Sequence, residues 1–138
     1  MRFSSTLLAG ALVAAAFATP ALAQSAGDPV AGKKVFNKCM ACHAVGPNAK
    51  NKVGPELNGI IGEAVASVEG YNFSPALKEY AATNPTWDEA NMTAWLANPK
   101  AVVPKTKMAF PGLKKPEEIA NVIAYLKSFD ETGAAAAN

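Results

Sequence analysis

Apolar and polar positions divide the chain into an unbroken apolar run, several short stretches with helical spacing and a long aperiodic middle. The run covers residues 7–18 and is interrupted only by Gly10. After it, Asp28-Pro29 pairs a cap residue with a first-turn proline, and Val30, Val35 and Phe36 supply an apolar stripe. This predicts a first helix over 29–40. Residues 45–71 carry Gly46-Pro47, Gly54-Pro55 and Asn58-Gly59 with no sustained period, which reads as loop rather than strand. Ser74-Pro75 opens a short helix to about residue 81. Thr86-Trp87-Asp88-Glu89 has the T-x-x-E capping-box spacing and starts a helix bearing Met92, Trp95 and Leu96, which Asn98-Pro99 ends. Pro116-Glu117-Glu118 puts acids in a first turn, and Ile119, Val122, Ile123 and Leu126 share one helical face, so a last helix is expected to about residue 129. The small residues of 132–138 read as a disordered tail.

The fold class is therefore all-α, with four to five short helices separated by long loops. Loops longer than about 15 residues without structure are uncommon in a compact domain. Something besides the chain is expected to fill the middle, and a large apolar cofactor would do so.

The apolar run is about 12 residues long, short of the roughly 20 needed to span a bilayer. With Arg2 before it and Ala21-Leu22-Ala23 after it, residues 1–23 read as a signal peptide cleaved after Ala23, with export to the periplasm. The domain is then 24–131. An oxidising compartment makes a disulfide the default reading of two cysteines. The formal charge of +2 gives no support to nucleic-acid binding. It is unevenly spread, however: no acid lies between Glu89 and Glu117, while Lys100, Lys105, Lys107, Lys114 and Lys115 do, forming a basic patch.

One His excludes a multi-histidine metal site, and two Cys exclude a four-thiolate site within one chain. Cys39-Met40-Ala41-Cys42-His43 is C-x-x-C-H, the attachment signature of a c-type haem. Two thiols about one helical turn apart can form thioethers with two vinyl groups, and the adjacent His43 reaches the iron from the same side. A local disulfide and a thioredoxin-like dithiol are the rivals. The second expects a βαβ context, and neither explains the histidine. With His43 the single histidine, the sixth iron ligand is sought among Met92, Met108 and, more weakly, a lysine. Met92 lies at i, i+3 from Trp95 and reads as core. Met108 lies in an irregular segment able to bring its side chain over a haem face, giving the His/Met pair that raises the potential of c-type haems.

Gly32, Phe36, the haem motif, Gly54-Pro55-Glu56-Leu57, Trp87, Asn98-Pro99, Thr106-Lys107-Met108 and Tyr125-Leu126 recur in an order that resembles class I c-type cytochromes, the soluble periplasmic relatives of mitochondrial cytochrome c. The resemblance spans about residues 32–129. It implies the cytochrome c fold, with first and last helices crossing around one covalently bound haem c. It further implies that Gly32 and Phe36 pack on Tyr125 and Leu126. The Pro55 carbonyl would accept from the His43 ring, Trp87 would donate to a propionate, and Thr106 would support the haem edge. Glu63 and Phe73 stand where the mitochondrial pattern has Arg and Tyr, and Lys105 where it has Gly.

The expected function is that of a periplasmic one-electron carrier cycling Fe(II)/Fe(III) with His43/Met108 ligation. Its lysines would dock acidic redox proteins: a quinol–cytochrome c reductase, a terminal oxidase, a photosynthetic reaction centre or a periplasmic dehydrogenase. It would act as a monomer without stable membrane insertion. The alternatives are a haem enzyme or gas sensor with an open sixth site, and a thiol–disulfide oxidoreductase using Cys39 and Cys42. Lack of a second histidine counts against peroxidase chemistry.

Overall fold

The computed structural model describes residues 26–136, so the expected leader, 1–23, lies outside the described residues. Five helices follow one another: α1 (Pro29–Phe36), α2 (Pro75–Thr83), α3 (Glu89–Ala97), α4 (Pro99–Val102) and α5 (Pro116–Lys127). Pairing between extended segments is limited, among the described residues, to two isolated antiparallel bridges, Ala64 with Thr86 and Phe129 with Ala135.

Caps set the helix starts. The Asp28 carboxylate accepts the Val30 N–H at 2.8 Å and Pro29 occupies the first turn. Expected to reach residue 40, α1 instead ends at Phe36. The chain then tightens to i→i+3 bonds, Lys38 N–H to the Val35 carbonyl at 3.0 Å and Cys39 N–H to that of Phe36 at 2.8 Å. The Ser74 hydroxyl accepts the Leu77 N–H at the start of α2.

The capping box at Thr86 does not form. Trp87 is held extended, its N–H donating to the Glu63 carbonyl and its carbonyl accepting the Gly62 N–H, both at 2.8 Å. The helix cannot begin before that pairing ends, so Asp88 becomes the cap of α3 and accepts the Asn91 N–H at 2.7 Å. Asn98 ends α3 and also caps α4, accepting the Ala101 N–H at 3.2 Å. A residue read only as a stop is thus a stop and a start.

The crossing of α1 over α5 is the main helix–helix contact. A Cβ on Gly32 would land on the Asn121 carbonyl and lie 2.8 Å from the Tyr125 Cβ, and one on Gly27 would land on the Ala120 carbonyl. Only glycine lets the two backbones approach this closely. The Asn121 side chain accepts the Asp28 N–H at 2.8 Å, and the Phe36 and Tyr125 rings pack at 5.4 Å between centroids. Ile119, Val122, Ile123 and Leu126 are all buried, as their shared face requires.

Residues 132–136, expected to be disordered, fold back. The Asp130 carboxylate accepts the Thr132 and Ala134 N–H groups, and the Ala136 N–H donates to the Ser128 carbonyl at 2.9 Å. Gly133 is seated against the Gly46 carbonyl and the Asn58 side chain, with φ +79°. Glycine at 133 is a packing requirement of this turn, whereas Ala134 and Ala135 are exposed.

Candidate functional site

After α1 the chain makes one turn that gathers the chemistry. The Cys39 carbonyl accepts both the Cys42 N–H at 3.0 Å and the His43 N–H at 2.9 Å, which brings the two thiols and the imidazole to one face. Both thiols are half-buried and not bonded to each other. Burial pushes the Cys39 thiol up from its usual value, with the Lys38 charge opposing.

His43 is fixed from behind. Its Nδ1 lies 2.7 Å from the Pro55 carbonyl, which makes Nδ1 the protonated nitrogen and leaves Nε2 as the free donor atom. A Cβ on Gly54 would collide with the ring, so Gly54 gives the imidazole its seat. Burial holds the His43 pKa below the usual imidazole value; the Pro55 bond opposes this and the Lys52 charge adds to it. A neutral imidazole is the form a metal requires.

The segment after α4 brings a thioether to the same cavity. Thr106 Oγ1 accepts the Met108 N–H at 3.1 Å, and Met108 is half-buried. Trp87 is buried, its ring 5.4 Å from that of Trp95 and 6.2 Å from that of Tyr80. Phe73 is also buried, while Glu63 is half-buried, with desolvation raising its carboxyl.

These elements enclose a cavity of about 390 Å³, walled mainly by apolar side chains such as Phe36, Leu57, Ile60, Trp95 and Leu126. Cys39, Cys42, His43, Pro55, Trp87, Thr106 and Met108 all line it, so the structure brings every expected pocket residue to one space. Met92, read as core, is buried on α3 and reaches the same wall. A large apolar volume with two thiols, a neutral imidazole and a thioether at its walls fits a covalent haem. Sheets of the kind a thioredoxin-like dithiol needs do not occur among the described residues.

The family model for cytochrome c matches residues 29–130, nearly the whole described chain. The chain belongs to the cytochrome c family. Cytochrome c-554 of Methylosinus trichosporium is 54% identical over 133 residues, covering 96% of this chain and 98% of that one. Cytochrome c2 of Rhodomicrobium vannielii is 51% identical over 116 residues, 84% and 90% of the two chains. Among solved structures, cytochrome cH from Methylobacterium extorquens superposes with a TM-score of 0.67 at 46% identity, covering 74% of this chain and 99% of that one. As a cytochrome c, the protein carries one covalent haem c and is an electron carrier, not an enzyme. The haem-enzyme and thiol-oxidoreductase alternatives fall with that membership.

In this cytochrome c, Lys100, Lys105, Lys107, Lys114 and Lys115 are all exposed. Lys107 lines the cavity and its Nζ reaches the Asn72 carbonyl at 3.4 Å. Phe110 joins the cavity to a neighbouring groove lined by Lys38, Lys114 and Lys115. Lys38 is spent on Glu118, bonding both carboxylate oxygens at 3.0 Å. Among the described residues, Lys100, Lys105, Lys107, Lys114 and Lys115 form no ion pair. Sequence reasoning took Gly54 as a turn residue and gave no part to Asn51 or Tyr71. Their roles come from contacts between loops that have no periodicity to betray them.

Proposed function

We propose that this cytochrome c is a periplasmic one-electron carrier, with Cys39 and Cys42 in thioether linkage and His43 and Met108 as axial ligands of the haem iron. The carrying observation is the single cavity into which the attachment turn and the Thr106–Met108 segment both project. Bound haem c supplies an Fe(II)/Fe(III) couple. His43, seated on Gly54 and bonded to Pro55, would bind the iron through a ring with little freedom to move. Met108, its backbone anchored by Thr106, would supply the second ligand. Apolar walls keep water out, and Trp87 and Thr106 offer N–H and O–H donors to the haem periphery. Ligation by both residues in either oxidation state would let the couple cycle with little rearrangement of the protein, which suits a carrier.

Residues 1–23 would direct export and be cleaved after Ala23. No helix among the described residues is long and apolar enough to cross a membrane. The protein would act as a monomer, meeting acidic redox proteins in brief encounters: a quinol–cytochrome c reductase or periplasmic dehydrogenase as donor, a terminal oxidase or photosynthetic reaction centre as acceptor.

A visible spectrum of the matured protein, oxidised and then reduced, tests the site. A c-type spectrum that carbon monoxide leaves unchanged in the reduced form is expected; a shift on adding the gas would show an accessible iron and overturn His43/Met108 ligation. Lys100→Glu and Lys105→Glu together are expected to slow electron exchange with an acidic partner by about tenfold at low ionic strength. The difference should shrink as salt screens the patch. Equal rates at low salt would remove the lysines from docking.

A further inference from the structure

The loop that carries Pro55 is gripped from behind by two side chains that the carrier reading does not use. Asn51 employs both ends of its amide: Oδ1 accepts the Glu56 N–H at 2.9 Å, and Nδ2 donates to the Glu69 carbonyl at 2.9 Å. An N–H on one side and a carbonyl on the other leave only one orientation of that amide. Two residues beyond Glu69, the Tyr71 hydroxyl donates to the Val53 carbonyl at 2.7 Å. Within the loop, Lys52 N–H donates to the Gly54 carbonyl and Gly54 N–H to the Cys42 carbonyl, both at 2.8 Å. Residues 51–56 are thus pinned in front to the attachment turn and behind to residues 69–71.

The Pro55 carbonyl and the Glu56 N–H are opposite ends of one planar peptide unit. His43 Nδ1 holds the carbonyl end, and Asn51 Oδ1 holds the N–H end. Rotation of that plane would break both bonds together, so whatever secures the N–H also aims the carbonyl. We propose that Asn51 is a positioning residue for the axial histidine, directing the Pro55 carbonyl at His43 Nδ1, with Tyr71 holding the loop against residues 69–71 as the second tie. The proposal rests on the reading of His43 as an iron ligand whose ring N–H is taken by Pro55.

That bond raises the donor strength of the imidazole and so favours the ferric state. Loosening the peptide should therefore raise the reduction potential and expose the ring proton. For Asn51→Ala in the haem-loaded protein, an upward shift of the midpoint potential and faster solvent exchange of the His43 Nδ1–H proton resonance are expected. Asn51→Ser, too short to span to Glu56, should do the same, and it decides the matter if the alanine variant fails to mature. Tyr71→Phe should give a smaller shift in the same direction. Asn51→Asp restores the Oδ1 acceptor and should restore slow exchange of the ring proton. A residue that served stability alone would lower the unfolding temperature and leave potential and ring-proton exchange as in the wild type; that result in the alanine or serine variant would overturn the proposal. A wild-type protein lacking a protected His43 Nδ1–H resonance would instead overturn the His43–Pro55 reading, and the two failures are told apart by the sample in which they occur.

Discussion

Gly32→Ala should lower the unfolding midpoint of the haem-loaded protein, although alanine is the better helix former. Helix propensity alone favours the substitution by about 1 kcal/mol. Against it stands a methyl group placed on the Asn121 carbonyl and 2.8 Å from the Tyr125 Cβ, with helix backbone on both sides. Backbone cannot swing away as a side-chain tip can, so α1 must lift from α5. Overpacking of this kind costs about 1–3 kcal/mol and more where the neighbours are rigid. The net expectation is a loss on the order of 2 kcal/mol, and Gly32→Val should lose more. Phe36 of α1 and Leu126 of α5 both line the haem cavity, so its wall loosens with the crossing. Denaturant unfolding followed by helix signal reads the effect. An alanine variant as stable as the wild type would show that the crossing has slack that its backbone geometry denies.

Met108→Ala is expected to convert a reduced protein indifferent to carbon monoxide into one whose spectrum shifts when the gas is added, and to lower the midpoint potential. Thioether ligation favours ferrous iron, so its loss moves the couple down by a sizeable part of the roughly 0.8 V that axial ligands span. Met92 supplies the control, because it lines the same cavity. Met92→Leu conserves volume and should cost less than about 1.5 kcal/mol in stability. It should leave both the potential and the indifference to carbon monoxide in place. If the leucine variant opens the iron and the alanine variant does not, the sixth ligand is Met92 and the proposed assignment is wrong.

Cap residues and apolar faces made most of the helical frame legible. Asp28-Pro29 and Ser74-Pro75 start α1 and α2 as read, and the face of Ile119, Val122, Ile123 and Leu126 is buried as its spacing demands. Where a local start signal met a longer-range contact, the contact decided. Thr86 offers a capping box, but pairing of Trp87 with residues 62–63 delays the helix and makes Asp88 its cap. No local pattern in 86–91 reports a bond to a residue more than twenty positions away. Order at residues 132–136 has a related cause, since Gly133 sits against the Gly46 carbonyl, a contact across most of the chain.

Among the site residues, the attachment turn was legible because its chemistry is local, five consecutive residues doing one task. Met108 came from the short list of possible sixth ligands, Pro55, Trp87 and Thr106 entered by resemblance, and the cavity brings all four together. Gly54 entered as a turn and motif residue without its part in seating the His43 ring, and Asn51 and Tyr71 did not enter at all. Their partners are backbone atoms of other loops, and a backbone atom leaves no trace in the residue type beside it.

A cavity of about 390 Å³ at the centre of so small a domain also bears on the life of the chain in the cell. Its walls are apolar side chains that face the attached group rather than one another, so haem completes the burial that drives this core together. The polypeptide and its prosthetic group are therefore one folding unit. A chain that misses attachment would leave that apolar wall exposed and would be a better substrate for housekeeping proteases, so the steady amount of this protein would track how much haem reaches the place where it matures.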